Sequence, residues 1–347
     1  MTARAGGWPR WWLRRSAAAR LLLPLAVLFA AASGLRRRAW QSGWLRPWRA
    51  PVPVIIVGNV TAGGSGKTPL VAYLAQALRE AGWHPGIVSR GYGRRRADAQ
   101  PLAVQADSTP EQVGDEPLLL HRISGCPVWV AARRAQAAQC LLRAHPRVDV
   151  LLGDDGLQHF ALARDLQMVV VDGRGRGNGW PLPAGPLREP WGRPRDATLG
   201  PPLARADSPE PFFELRRSPA GMRNLADGRL VQTAEFLQRY AAGGVSAAAA
   251  IGHPDQFFDM LRAAGLSLRH TATAPDHRAL PAEMLARLPG QILLTEKDAL
   301  KCRAGQPGFE RLWAVPLRLE VDPALLAWLL SRLRRDQSRS SDGFTPA

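Results

Sequence analysis

Cysteine is scarce in this sequence: Cys126, Cys140 and Cys302 are the only three, an odd number set far apart with no C-x-x-C pair. That spacing excludes a zinc ribbon, a thioredoxin-like redox pair and a disulfide scaffold, and leaves buried free thiols as the ordinary reading. Acidic residues are missing from the first 50 positions altogether. No internal repeat is present, which removes solenoids and propellers. No apolar run is long enough for a clean membrane span. The stretch "LLLPLAVLFAAAS" starts at Leu21, and Leu21 to Ala32 would rise about 18 Å as a helix against a hydrocarbon core of about 30 Å. No nucleic-acid reading motif accompanies the net charge of +17, so a nucleic-acid partner is not expected.

The chain has 347 residues, 46% hydrophobic and 22% charged, which is the balance of a folded protein with one large core or two modest ones. Its charge is unevenly placed. Ten arginines between Arg4 and Arg49 carry ten of the seventeen net charges, leaving +7 for the rest, and the same segment holds six of the twelve tryptophans. Indoles favour the membrane–water interface and arginines favour anionic headgroups, so residues 1–50 read as a segment that lies in or half inserts into a membrane surface. A secretory signal peptide has a similar outline. The phosphate loop described next needs cytoplasmic nucleotide, and argues that the segment is retained as an anchor.

Residues 52–59, "VPVIIVGN", form a continuous apolar run, as a strand covered on both faces should. "TAGGSGKTP" follows, and then apolar residues at Leu70, Val71, Leu74 and Leu78 repeat with a helical period. Strand, glycine loop and helix are the setting a phosphate loop requires. Thr61 stands where the strict pattern has its first glycine. Gly63, Gly64, Ser65, Gly66, Lys67 and Thr68 still supply flexible N–H donors, an ammonium for the β/γ-phosphates and a hydroxyl for Mg²⁺. Further strands are expected in "HPGIVS", "RVDVLLGDD" and "LQMVVVDG", with helices between them. The alternation predicts a doubly wound, mostly parallel α/β sheet of divergent phosphate-loop type. Residues 51–195 form that domain, 196–230 a Pro/Gly/Arg-rich linker, 231–331 a smaller α/β lobe and 332–347 a disordered tail. Asp154 and Asp155 end the third strand, where two adjacent carboxylates favour a cation beside the loop, although a capped turn is the plainer alternative.

"GGSGKTP", "SRGYGR", "VGDEP", "DDGLQH", "GNGWPLPAGPLRE", "IGHP", "PDH" and "TEKDALKC", in this order, resemble the tetraacyldisaccharide 4'-kinase family of lipid A biosynthesis, a divergent phosphate-loop group. The resemblance implies transfer of phosphate from ATP to the 4'-hydroxyl of a tetraacyldisaccharide 1-phosphate, giving lipid IVA at the cytoplasmic face of the bacterial inner membrane. It implies a monomer held there by a peripheral or single-helix N-terminal anchor. It assigns Lys67 to the β/γ-phosphates, Thr68 with Asp154 or Asp155 to the metal and Glu189 near it, and Asp115 to the base, with His277 as its partner. Arg90, Tyr92 and Asn178, together with Arg94 to Arg96, are candidates for holding nucleotide or sugar phosphate, against the plainer reading of solvated basic loops. Asp115 also suits a helix start, and Asp276–His277 a surface pair. The alternative function is a membrane-associated switch ATPase, against which Ala62 stands where such loops carry an extra lysine. "TEKD", after the strand "ILL", has the position of a base-reading segment in other phosphate-loop proteins, by analogy alone.

Overall fold

The protein is described here by a computed structural model covering residues 8–64, 66–94, 100–240 and 243–341, with side chains to Arg334 in the last helix. Its strands are, in chain order, β1 (Val54–Gly58), β2 (Pro85–Ser89), β3 (Leu102–Ala103), β4 (Val128–Val130), β5 (Val150–Asp154), β6 (Leu166–Val170), β7 (Ala197–Gly200) and β8 (Phe212–Pro219). They continue with β9 (Met222–Asn224), β10 (Leu230–Val231), β11 (Val245–Ala249), β12 (Leu268–Thr273), β13 (Gln291–Thr295), β14 (Leu312–Val315) and β15 (Leu317–Val321). One sheet has the order β15-β8-β7-β6-β1-β5-β2-β4-β3 and the other β10-β9-β14-β13-β11-β12. In the larger sheet only the edge pairs β15/β8 and β4/β3 are antiparallel. The fold is therefore the doubly wound α/β architecture that the alternation of strands and helices predicts.

The apolar run of β1 follows from its central place. Ile55 and Val57 face one core with the helix Lys67–Glu80, while Val54 and Ile56 face the other with Ala137 and Leu141 of the helix Arg134–Ala144. Both faces are dry, so no polar alternation survives. The chain leaves β1 for β2 on one side and later places β6 on the other, with β5 slotted between β1 and β2. The crevice at that reversal, at the carboxyl ends of the strands, is where an open α/β sheet binds its ligand.

Two boundaries differ from the sequence expectation. Residues 196–230 are not a linker: β7 and β8 extend the first sheet, and β9 and β10 belong to the second. β7, β9 and β10 are only two to four residues long, and β8 falls on "PFFELRR", the one strand-like piece in a stretch whose prolines suggest a linker. The second lobe also ends before residue 331. β15 returns to pair with β8, and Leu325, Leu329 and Leu333 of the helix Ala324–Ser341 are buried in the core of the first lobe. The helix enters the stretch expected as a tail because this apolar face has a core to cover; residues 342–347 lie outside the described structure.

At the N-terminus, the helices Ala17–Leu21 and Leu23–Gln41 meet at Leu22, with Pro24 in the first turn of the second, where its missing N–H costs nothing. Leu21, Val27, Leu28 and Leu35 are exposed, and Ala26 is the buried residue of the longer helix. No helix among the described residues is long and apolar enough to cross a membrane.

Candidate active site

The phosphate loop leaves β1 and enters the helix Lys67–Glu80 through Gly66, whose φ of 75° lies in the left-handed region. A side chain there would also collide with the guanidinium of Arg217 on β8. Asn59 organises the turn: its Nδ2 donates to Gly63 O at 3.1 Å, and its Oδ1 accepts from Lys67 Nζ at 3.3 Å. Lys67 thus stands at the mouth of the loop, with Asp155 Oδ1 also 3.4 Å away. The second lobe closes over Gly64, because a Cβ at Gly252 would come within 3.2 Å of the Gly64 amide nitrogen. Ser65 lies outside the described residues.

The parallel register sets Asp154 opposite Val57, directly beside the loop. Thr68 Oγ1 donates to Asp154 Oδ2 at 3.3 Å, and Asp154 Oδ1 is buried without a hydrogen-bond partner. Burial raises the pKa of Asp154, and the charges of Glu116 and Asp155 add to the rise, while Lys67 and Arg134 offset only part of it. A buried carboxylate with an open oxygen beside a hydroxyl fits a divalent cation. Asp155 has φ 50° and faces Lys67 and Arg188. Burial would raise its pKa too, but Lys67, Arg188 and Arg134 together lower it. Glu189 does not join this pair. It is buried against Arg193 Nη1 at 2.7 Å, has Arg37 at 3.9 Å, and accepts from Gln158 Nε2 at 3.0 Å. Two guanidiniums neutralise it, and among the described residues no three His, Cys, Asp or Glu side chains converge to hold a metal by themselves. A magnesium ion that keeps waters and takes substrate phosphate oxygens needs only one or two carboxylates.

The base end draws on both lobes. Asp115 is the first residue of the helix Asp115–Ser124, preceded by Gly114 as its cap, and its side chain is 4% exposed. His277, held at φ 64° in the second lobe, places Nδ1 3.2 Å from Asp115 Oδ1. A carboxylate can only accept, so Nδ1 carries the proton of that bond. The expected Asp115–His277 pairing is therefore present in the geometry, beside the His277–Asp276 contact. Asp276 flanks the imidazole, with Oδ2 3.6 Å from Nε2, and Tyr92 packs on the ring with centroids 4.6 Å apart.

Two lysines join them unforeseen. Lys301 Nζ is 2.8 Å from Asp115 Oδ2, and Lys297 Nζ is 3.5 Å from the same oxygen, 3.3 Å from Glu116 and 3.3 Å from Asp276. Burial alone would raise Asp115, but the His277 hydrogen bond and both ammoniums outweigh it and hold the carboxyl well below the usual range. For Lys297, burial would lower the pKa, yet Glu116, Asp115 and Asp276 raise it. A signal for these residues was available: the chain has only three lysines, of which Lys67 and Lys297 line the cleft and Lys301 reaches Asp115 beside it. In "TEKD" itself, Asp298 is buried against Thr295 Oγ1 and the Ala250 amide at 2.6 and 3.0 Å. It locks the turn after β13 and is not presented to a base.

The softer candidates separate. Arg90 is exposed at the end of β2, and Arg95 and Arg96 lie outside the described residues. Asn178 is fully engaged: Nδ2 donates to Trp11 O and Ala184 O, and Oδ1 accepts from the Trp180 amide. It shapes its own loop against the N-terminal segment, with both Nδ2 protons donated. That segment also reaches the phosphate loop, where Trp8 Nε1 donates to Ala62 O at 2.8 Å.

Two cavities adjoin these groups. One of about 480 Å³ runs between the lobes from Gly64, Lys67 and Thr68 to Lys297, with Tyr73, Leu120 and Met260 in its wall. The other, about 620 Å³, lies between Phe29 and Arg37 of the N-terminal helix and the loop Gly177–Trp191.

A profile of the family described as tetraacyldisaccharide-1-P 4'-kinase matches residues 18–334. The tetraacyldisaccharide 4'-kinase of Dechloromonas aromatica is 47% identical over 93% of this chain and 95% of its own length. That of a Janthinobacterium species is 45% identical over 93% and 94%. Among solved structures, the "apo" form of LpxK from Aquifex aeolicus in complex with ATP superposes with a TM-score of 0.73 at 28% identity, covering 91% of this chain and 99% of that one.

Proposed function

The chain belongs to the tetraacyldisaccharide-1-P 4'-kinase family, and from that premise we propose the division of labour by which it phosphorylates the 4'-hydroxyl of a tetraacyldisaccharide 1-phosphate, with ATP as donor, to give lipid IVA in lipid A biosynthesis. Asp115 is the base. It sits across the cleft from the phosphate loop, buried and oriented by His277, and takes the hydroxyl proton as the oxygen bonds to phosphorus and the β–γ bridge breaks. Lys67 holds the β- and γ-phosphates. Thr68 and Asp154 would hold Mg²⁺, which neutralises phosphate charge when bound; Asp155 orients Lys67 and Arg188 rather than completing a ligand set. Glu189 has no metal role in this reading, since Arg193 and Arg37 satisfy it.

The apolar walls of the inter-lobe cavity suit the nucleoside, and the cavity under the N-terminal helix suits the lipid disaccharide. Exposed Leu21, Val27, Leu28 and Leu35 beside the N-terminal arginines fit a monomer docked on the cytoplasmic surface of the inner membrane, where a four-chain substrate stays. The observation that carries the reading is the Asp115–His277 pair at the edge of a cleft that also contains the phosphate loop. The test is transfer of labelled γ-phosphate to tetraacyldisaccharide 1-phosphate in mixed micelles. A phosphorylated lipid product is expected; hydrolysis of ATP without one would return the switch-ATPase alternative.

A further inference from the structure

Asp115 has two carboxylate oxygens and two kinds of neighbour. Oδ1 receives His277 Nδ1 and, at 3.1 Å, the amide of Glu116. Left to itself, an aspartate at a helix start rotates toward the free amides of its own first turn. Oδ2 is instead held by Lys301, whose side chain is 9% exposed and whose ammonium stands 2.8 Å away. The pair is a close ion contact rather than a directed hydrogen bond, and between buried opposite charges it draws the carboxylate oxygen toward the ammonium.

Lys301 follows the helix Glu296–Ala299, four residues after Lys297 and on the same face. Lys297 lines the nucleotide cavity; Lys301 does not. The two lysines therefore divide the base end between them. Lys297 ties Glu116 of the first lobe to Asp276 of the second and stands 3.5 Å from Asp115 Oδ2, whereas Lys301, at 2.8 Å, is the nearer ammonium and pairs with Asp115 only.

Resting on the kinase reading above, we propose that Lys301 is the positioning residue of the base. It pins Oδ2 and turns Oδ1 to His277 and the acceptor hydroxyl, so that Asp115 is ready only while the second lobe is docked. Lys301 touches neither substrate and acts through Asp115.

The experiment is a double-mutant cycle on the full chain in mixed micelles, with Lys301→Met, Asp115→Asn and both together, and with Lys301→Arg as the conservative variant. Lys301→Met should lower kcat on the order of 10²-fold, the scale of a misplaced reacting group. The KM for ATP should move little, and Lys301→Arg should recover part of the rate. In the Asp115→Asn background, Lys301→Met should add nothing, because its target is gone. Thermal unfolding and ATP binding of each variant separate this from loss of fold. An unchanged kcat, full additivity in the cycle, or a loss that tracks ATP binding or stability overturns the proposal. Wild-type protein that binds ATP but phosphorylates no lipid refutes the kinase reading instead.

Discussion

At the phosphate end of the cleft, Lys67 and Thr68 follow β1 directly, and Asp154 and Asp155 reach them through a single strand pairing in the same lobe. At the base end, Asp115 comes from the first lobe, while His277, Lys297 and Lys301 come from the second, His277 at a distance of 162 positions in sequence. The two ends therefore depend on different things. Both ends adjoin the cavity between the lobes, but the first draws its charged side chains from one lobe and the second from two. Nucleotide binding and phosphoryl transfer should accordingly be separable by mutation, in one direction only.

Lys67→Ala tests the end on which both functions rest. It removes the ammonium from the loop, and should cost ATP affinity together with about 10²–10³ in rate, measured by calorimetry and by the transfer assay. A Lys67 variant that binds ATP normally would break the distinction. Gly66→Ala should be nearly as damaging at the same end. It places a Cβ at a left-handed φ, costing about 1–2 kcal/mol, and against the Arg217 guanidinium; weaker ATP binding and a lower unfolding temperature are expected together.

The two ends were not equally legible. "GGSGKTP" declares itself because strand, loop and helix are contiguous, and "DDGLQH" because its strand is an apolar run of its own. Asp115 and His277 came from the family likeness, since neither "GDEP" nor "PDH" carries a pattern that outweighs a helix start or a surface pair. Lys301 carries in the sequence only the signal of its rarity, since its partner is brought close by the docking of one lobe on another. β7 and β8 lie in a stretch whose prolines and glycines suggest a linker, and β15 pairs with β8 from far along the chain, which periodicity does not reveal. For Glu189 the motif gives a place in the chain, whereas the facing guanidiniums of Arg193 and Arg37 show only in the fold.

A smaller effect sharpens the phosphate end. His159 of "DDGLQH" accepts from the Arg134 amide at 3.1 Å. Burial first, and then Arg134, Arg164, Arg36 and Arg90, lower its pKa from 6.5 to about 4. The unfolded chain takes up that proton at the higher value, so the stability His159 contributes is complete above about pH 6.5 and is lost as pH falls from there toward 4. His159→Gln should show a smaller drop in unfolding temperature between pH 7 and pH 5 than the parent. Equal drops would remove this histidine from the account.

The central claim is that Asp115 serves transfer and not nucleotide binding. It is met most directly by measuring kcat for the lipid acceptor and Kd for ATP on Asp115→Asn, side by side with the parent. The account predicts a fall in kcat of about 10²–10⁴, the usual reach of a general base, with Kd for ATP essentially unchanged. A variant that keeps its rate, or one that loses ATP affinity in step with it, would contradict the claim that the base end is built separately from the phosphate end.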